Sequence, residues 1–161
     1  MAQTSSTTKI NSFKSELFML RGDTLTQIVG FKEFTFGETT MTDIPVADLD
    51  GGDGFNDNGQ KTLGGGTIVT EIDPRNETHA ALKAATDAQA LVTLVVGSSE
   101  SGDAATYETS TLTLPTTRTW WTYDVRLKIA GEPVLSSGAK VMRTYSFNRL
   151  TEVVETLSVP A

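Results

Sequence analysis

The stretch TWWTYDVRLKIA, residues 119–130, alternates apolar and charged side chains from Tyr123 onward. Successive side chains of a β-strand point to opposite faces, so the alternation predicts a strand with one buried face and one face that meets water or a partner. The apolar set is Tyr123, Val125, Leu127 and Ile129, and the charged set is Asp124, Arg126 and Lys128. The adjacent Trp120 and Trp121 must then point to opposite faces, which predicts one core tryptophan and a second at a subunit contact or on a sugar-binding surface.

Other segments carry the same signature, so we expect a mostly β protein. Threonine makes up about a sixth of the chain and accompanies valine and aromatic residues, a mixture that favours half-buried sheets. Residues 15–20 and 25–36 are predicted as two strands joined by a tight turn at Gly22 and Asp23, and Pro45 restricts the segment 40–49 to an edge or to the start of a strand. Further strands are predicted over residues 67–72, 90–96, 105–114, 140–150 and 152–159.

A single helix is predicted over about residues 74–89, within DPRNETHAALKAATDAQA. Asp73 suits the N-cap and Pro74 the first helical position. A narrow stripe of small residues should lie against a sheet, with His79 on the solvent side. The stripe consists of Thr78, Ala81, Leu82, Ala85 and Gln89. Together these elements predict a β-sandwich or open barrel of about eight strands flanked by one α-helix.

The predicted organisation is one domain over residues 15–161, preceded by a flexible N-terminal arm over residues 1–14. The arm is rich in Ser and Thr and has too few apolar residues to order itself. It also lacks the apolar core of a secretion signal, and no apolar run is long enough to span a bilayer. We therefore expect a protein that stays in a cytoplasm and makes no membrane contact.

Charge and composition exclude several classes of function. The formal net charge is −7, with 20 acidic and 13 basic residues, which disfavours specific nucleic-acid binding. There is no cysteine and one histidine, so thiolate metal sites and histidine-dependent catalysis have no ligand set. No nucleotide, nucleophile-elbow or phosphate-loop motif is present. We expect no enzymatic activity, no catalytic residue and no cofactor.

The long loop over residues 48–66, DLDGGDGFNDNGQKTLGGG, resembles a calcium site at first sight. An EF-hand register beginning at Asp48 places Gly59 where the bidentate glutamate should be. A calcium-binding β-roll register matches Gly51, Gly52 and Gly54 but occurs only once, whereas such rolls bind calcium between successive repeats. The stretch is therefore interpreted as a loop with no metal site and with Phe55 as the only large apolar side chain inside the glycine run.

The order of elements resembles that of the major tail tube proteins of long-tailed, lambda-like bacteriophages (siphoviruses). The resemblance covers roughly residues 15–150 and is carried by Ile28 and Gly30, the segment 43–49, Asp73-Pro74 before the helix, and Gly131. It implies the phage tail tube fold, a β-sandwich flanked by one helix. It further implies a structural virion protein that self-assembles into hexameric rings, stacked as a hollow tail tube that conducts viral DNA during ejection.

The resemblance also implies partners and a location. The chain would contact itself, a tape measure protein in the lumen, and the tail terminator and tail tip proteins, while DNA passes without specific binding. It would reside in the virion tail, and in the host cytoplasm during assembly. In this family the long loop reaches the neighbouring ring, and here the implied inter-ring contact residues are Asp48, Asp50, Asp53, Phe55, Asp57 and Lys61.

Two alternatives remain open at this point. One is the tube subunit of a contractile or type VI injection machine, which shares the ring and the sandwich. The other is a secreted β-sandwich module that binds carbohydrate through the tryptophans or calcium through the acidic loop.

Overall fold

The computed structural model describes residues 14–46 and 55–159. Its elements are twelve strands and one helix, which confirms the mostly β prediction. The strands are β1 (Glu16–Arg21), β2 (Thr24–Ile28), β3 (Phe31–Thr35), β4 (Thr39–Val46), β5 (Phe55–Leu63), β6 (Gly65–Glu71), β7 (Leu91–Gly97), β8 (Thr106–Glu108), β9 (Thr111–Thr113), β10 (Trp120–Leu127), β11 (Met142–Arg149) and β12 (Val154–Thr156). The helix is α1 (Glu77–Asp87). The predicted arm lies outside the described residues, except for Lys14.

Eight antiparallel strands form the main sheet in the order β2-β1-β7-β10-β11-β6-β3, with β12 beside β10. The predicted turn at Gly22 and Asp23 joins β1 to β2. The outermost strands, β2 and β3, are consecutive in the chain and separated only by Val29 and Gly30. The sheet must therefore curve until its two ends meet at that turn. The prediction of one strand over 25–36 was wrong, because Gly30 adopts the left-handed φ of +79° and breaks it.

The concave face of the sheet and the buried face of α1 enclose the main core. Tyr123, Val125 and Leu127 all face it, as the alternation predicted. Ile129 does not, since β10 ends at Leu127 and its side chain is 66% exposed. The other members are Leu17, Met19, Ile28, Ile68, Leu82, Ala85, Val92, Leu94, Val96, Tyr145 and Phe147.

A second, smaller core covers the opposite face of β1, β7 and β10. It contains Phe18, Val95, Ala105 and Trp120, and the short hairpin of β8 and β9 closes over it with Leu112. The prediction of a single strand over 105–114 was wrong, because Thr109 and Ser110 both have positive φ and form the turn of this hairpin.

The two tryptophans point to opposite faces, as predicted. Trp120 is fully buried in the smaller core, whereas Trp121 packs half-buried against the main core. The Trp121 ring lies against Phe36, and its Nε1–H donates to a carboxylate oxygen of Glu155 at 3.1 Å. Both rings therefore have partners within the fold.

Helix α1 begins three residues later than predicted. Asn76 is the N-cap, since its side-chain oxygen accepts from the Thr78 amide at 3.0 Å, while Asp73 caps the preceding turn by accepting from Arg75. The predicted N-cap at Asp73 was therefore wrong. The helix also stops at Asp87, because Gln89 takes a left-handed φ of +49°.

The buried stripe of α1 is rotated from the predicted one and consists of His79, Leu82, Ala85 and Thr86. Placing His79 on the solvent side was wrong: it is 8% exposed, and its ring lies over the turn between β2 and β3. Its Nε2 contacts the Val29 carbonyl oxygen at 2.7 Å. A Cβ at Gly30 would meet this ring only at an ordinary contact distance of 3.7 Å, so the glycine is required by its left-handed φ of +79° and not by the approach of the helix.

The strands β3, β4, β5 and β6 form one long bent hairpin, described up to Val46 and again from Phe55. Its inner half, β3 with β6, belongs to the main sheet, and its outer half is the separate two-stranded sheet of β4 and β5. The predicted loop over 48–66 was therefore wrong over β5 and the start of β6. Polar side chains do not prevent a strand there, because β4 offers its backbone groups for pairing.

Glycines let the backbones cross at the bend. A Cβ on Gly64 would overlap the Glu38 carbonyl oxygen, and one on Gly37 would overlap that of Gly65. The Gly64 amide donates to the Glu38 carbonyl at 2.7 Å and closes the bend. The GGG triplet is thus a packing requirement of the hairpin.

Replacing Gly66 by alanine should destabilise the protein. The new Cβ would overlap both the Thr35 carbonyl oxygen and the Phe147 ring, neither of which is free to move. We expect a loss of about 1–3 kcal/mol in the free energy of unfolding, measured by urea denaturation. Gly102→Ala is the matched control, because nothing lies within 4 Å of its Cβ position. Equal stability of the two variants would contradict this account of the bend.

Candidate functional site

The β4–β5 hairpin leaves the main sheet and pairs only with itself. Its register runs from Thr39 opposite Leu63 at the base to Val46 opposite Phe55 near the tip. None of its side chains that the structure describes is buried. A two-stranded sheet without a core is marginally stable in water, so this element has the properties of one that gains its packing from another molecule.

Exposed apolar side chains lie on the hairpin. Met41 and Ile44 are each 51% exposed. They are three residues apart in the same strand, so they point to opposite faces. Neither face of the hairpin is therefore a purely polar, solvent-adapted surface.

Two contacts fix the base of the hairpin to the barrel, which is the curved eight-stranded main sheet together with α1. Arg149, 7% exposed, donates from Nε to the Gly64 carbonyl oxygen at 3.0 Å and from a terminal nitrogen to Thr39 Oγ1 at 2.6 Å. Lys61 forms an ion pair with Glu152, which follows β11. The hairpin thus leaves the barrel in a defined direction although it has no core of its own.

The sequence-predicted contact residues are described only in part. Asp48, Asp50 and Asp53 lie outside the described residues, and for Phe55 only the backbone, paired with Val46, is described. Asp57 and Lys61 both lie in β5. The Asp57 carboxylate accepts from the Asn58 amide at 2.8 Å, and Lys61 pairs with Glu152.

Within residues 14–46 and 55–159, no group of three or more His, Asp and Glu side chains is arranged to hold a metal ion. Over the same residues, no helix has the length and apolar character needed to cross a membrane.

The C-terminal segment is a second exposed surface. Val154, Leu157 and Val159 are between 59% and 66% exposed. In the described part of the chain, β12 pairs with β10 along one edge and with no strand along the other. An unpaired edge beside exposed apolar side chains is suited to pairing with another chain.

Glu100 holds this segment against the barrel. Its carboxylate accepts from the Thr119 amide at 2.6 Å, from Ser98 Oγ at 3.0 Å and from Ser158 Oγ at 3.4 Å. Burial alone would raise the pKa of Glu100, but these hydrogen bonds outweigh it and lower the pKa. The ionised carboxylate is therefore the form that anchors the C-terminal segment.

Arg149 and Glu152 were not predicted from the sequence as anchors of the hairpin. A signal for Arg149 existed, because Tyr145, Phe147 and Arg149 alternate and so share the buried face of β11. An arginine at the buried end of such a pattern indicates a set of oxygen acceptors nearby. No signal could have identified Glu152, which lies 91 residues from Lys61 in the chain.

The family model of lambda-like phage tail tube proteins matches residues 8–151 of this chain. No curated protein matches the sequence. Among solved structures, the chain is similar to one in the extended sheath–tube complex of an extracellular contractile injection system, the PVC, with 13% identity, a TM-score of 0.63 and 92% of each chain covered.

Two further solved structures share the fold. The SPP1 tail tube protein is 8% identical, with a TM-score of 0.63 over 94% of this chain and 81% of that one. A chain in the tube-terminating cap of the anti-feeding prophage is 15% identical, with a TM-score of 0.63 over 98% of this chain and 100% of that one. At these identities the likeness establishes the fold alone.

Replacing Glu100 by glutamine should weaken the protein at neutral pH and much less in acid. A lowered folded-state pKa means that the unfolded chain takes up the proton first as pH falls. The ionised Glu100 carboxylate therefore stabilises the fold fully above the unfolded-state pKa of about 4.3. This stabilisation is lost as pH falls through the lower folded-state pKa. Urea denaturation between pH 7 and pH 3 measures this. Glu108→Gln, at an exposed carboxyl on β8, is the control, and a constant difference between Glu100→Gln and the unmodified protein across this range would contradict the assignment.

Proposed function

Because the chain belongs to the lambda-like phage tail tube family, we propose that its copies form hexameric rings and that the rings stack into the hollow tube of the tail. As a member of this family it is a structural component of the virion tail. The tube serves as the conduit through which viral DNA leaves during ejection. This role is mechanical and requires no catalytic group.

The observation that carries the proposal is the β4–β5 hairpin. A barrel with two cores of its own presents a two-stranded sheet with no buried side chain among its described residues. Among the described strands, each of these two pairs along one edge within the hairpin and with no strand along the other. Such an element is costly for a monomer and useful for a subunit, because a neighbouring copy can supply both the missing strand and the missing core.

The hairpin projects far from its base. β4 has eight residues, and at about 3.3 Å per residue it extends about 26 Å from its base. The strand β5 begins at Phe55 and contains Asp57, while Asp48, Asp50 and Asp53 belong to the segment between β4 and β5, outside the described residues. We assign these residues to the inter-ring contact. Phe55 supplies an apolar anchor, while Lys61 stays near the base with Glu152.

The acidic balance of the chain suits a DNA conduit. Each copy carries a formal charge of −7, so a ring of six copies is strongly negative. Negative side chains that line a channel repel the phosphate backbone within a Debye length of about 8 Å at physiological salt. DNA would then pass without adhering to the wall.

The remaining partners follow from the place of a tube in a tail. Similar folds occur in a chain of a sheath/tube terminator, in a baseplate and in a tube-terminating cap. By analogy, the two ends of this tube would meet a tail terminator and a tail tip protein, and the lumen would hold a tape measure protein until ejection. Rings would form in the host cytoplasm during assembly.

The tube of a contractile injection machine is the second candidate function. The fold itself does not separate the two, since the PVC and SPP1 chains have the same TM-score to this one. The lambda-like family favours the non-contractile tail. A secreted carbohydrate-binding module has no comparable support, because Trp120 and Trp121 are both packed within the fold. A calcium-binding module has none either, because the stretch 48–66 completes neither an EF-hand nor a repeated β-roll.

Substitutions on the hairpin should block polymerisation and leave the monomer intact. We expect Ile44→Ser and Phe55→Ala to raise the concentration needed for tube formation at least tenfold, because each removes an apolar contact made only between subunits. Negative-stain electron microscopy and sedimentation of the concentrated protein measure tubes. The melting temperature of the dilute monomer should change by less than about 2 °C.

Leu135→Ser is the matched control, since this side chain is 77% exposed and lies outside the hairpin. Full polymerisation by both hairpin variants would contradict the proposed contact. A large loss of monomer stability in Phe55→Ala would place that side chain in a core. A protein that stays monomeric at every concentration would overturn the proposed function as a whole.

A further inference from the structure

The hairpin contains the one Asn-Gly pair of the chain, Asn58 and Gly59. Both residues lie in β5, and Asn58 is exposed. Asparagine is a chemically labile residue, because its side-chain carbonyl carbon can react with the backbone nitrogen of the next residue. A glycine in the next position favours this reaction, since it has no Cβ to block the approach. The pair is therefore a candidate for spontaneous covalent modification.

A β-bulge interrupts the strand pairing at this pair. Asp43 lies opposite Asn58, and Met41 lies opposite Lys61. This register leaves two residues of β5 opposite a single residue of β4, namely Gly59 and Gln60 opposite Thr42. A bulge leaves one residue unpaired and disrupts the ladder locally. The backbone that must move in the reaction is thus held less firmly than in a regular strand.

The bulge also explains why a glycine occupies position 59. A Cβ there would lie 2.6 Å from both the carbonyl oxygen and the Oγ1 of Thr42, and 2.9 Å from a side-chain carbon of Ile44. A larger residue would push the two strands apart. The packing of the hairpin therefore requires the residue type that leaves Asn58 reactive.

The carboxamide of Asn58 is available for the reaction. Among the described residues, the hydrogen bond at Asn58 outside the strand ladder is donated by its backbone amide, to the Asp57 carboxylate at 2.8 Å, and its side chain has no partner. Asn76 differs, because its side-chain nitrogen donates to the Val29 carbonyl at 3.2 Å and its side-chain oxygen accepts from the Thr78 amide at 3.0 Å. A carboxamide held in this way cannot turn toward the next backbone nitrogen.

The reaction also requires the hairpin to open locally. In an extended strand ψ is about +135°, which points the Gly59 nitrogen away from the Asn58 side chain. No side chain of the described hairpin is buried, so local opening costs little. A neighbouring subunit bound to the hairpin would raise that cost, because it binds the closed form.

We propose that Asn58 is a self-modification site of the unassembled subunit. The Gly59 nitrogen forms a bond to Asn58 Cγ, and the bond from Cγ to the side-chain nitrogen breaks. That nitrogen leaves as ammonia and takes the proton of the Gly59 amide. Water then opens the succinimide ring, giving aspartate by cleavage at the side-chain carbonyl or isoaspartate by cleavage at the main-chain carbonyl. No group is oxidised or reduced.

Either product disfavours the hairpin. An aspartate at position 58 lies directly opposite Asp43, and like charges in that position destabilise an antiparallel pair. The lysine of β5, Lys61, is already paired with Glu152 and does not neutralise the new charge. An isoaspartate inserts an extra carbon into the backbone and disturbs the alternation of side chains. The modification thus removes long-unassembled copies from tube formation, a consequence that rests on the proposed function.

Peptide mass spectrometry of the dilute protein during storage at pH 8 tests the modification. Asn58 should convert at least tenfold faster than Asn76, whose side chain is held, and than Asn148, which precedes the bulky Arg149. Conversion should be slower at pH 6, because the Gly59 nitrogen attacks after losing its proton. Asn58→Gln should stay unmodified, since its longer side chain closes the ring far less readily. Equal rates at the three asparagines would overturn the proposal, whether or not tubes form.

Polymerisation tests the consequence for assembly. Asn58→Asp, which copies one product, should raise the concentration needed for tube formation several-fold. Gln60→Glu is the matched control, because it adds the same charge to β5 opposite Thr42 and not opposite a carboxylate. Within tubes, Asn58 should convert at least tenfold more slowly than in the dilute subunit.

Two results would overturn the link to assembly. Normal polymerisation of Asn58→Asp would show that the modified hairpin still makes its contacts. Equal conversion rates in tubes and in dilute protein would show that assembly does not cover the hairpin. If no tubes form at any concentration, the protective role falls together with the proposed function, while the rate in dilute protein still decides whether Asn58 modifies itself.

Discussion

The close crossing of two backbones at Gly37 and Gly64 is the constraint on which the rest of the structure depends. Strands can bend out of a sheet only if their backbone groups stay paired, and here the Gly64 amide keeps its bond to the Glu38 carbonyl at 2.7 Å. No side chain larger than hydrogen fits at this point. The bend divides one hairpin into a half that completes the barrel and a half that leaves it.

The two halves differ in where their stability comes from. The inner half contributes Ile68, 0% exposed, to the main core, so its pairing is supported by apolar burial. The outer half has backbone pairing and polar anchors at its base, Arg149 and the Lys61–Glu152 ion pair. An exposed ion pair contributes at most about 1 kcal/mol. The barrel therefore has its own cores, while the described part of the hairpin has none.

Buried polar groups have distinct roles at the two ends of the barrel. Arg149 and Glu100 have their hydrogen bonds satisfied and fix chain segments in place. In contrast, Thr70 Oγ1 and Arg143 Nε are buried without a hydrogen-bond partner among the described protein groups. The satisfied groups therefore explain how the hairpin and the C-terminal segment are held against the barrel.

The sequence by itself determined the mostly β class, the single helix, the opposite faces of Trp120 and Trp121, and the tail tube family. These properties depend on local periodicity and on the order of elements, both of which can be read directly from the sequence. It did not determine the strand in residues 55–63, because that strand exists by pairing with β4 and not by its own propensity.

Tertiary structure alone decided the rotation of the helix and the environment of His79. Helical periodicity defines a stripe, but which stripe is buried depends on where the helix meets the turn at Gly30. Tertiary structure also decided that Thr70, His79 and Arg143 line one cavity, because β6, α1 and β11 each contribute one of these residues. Contacts between distant segments depend on tertiary packing, so a local sequence pattern does not predict them.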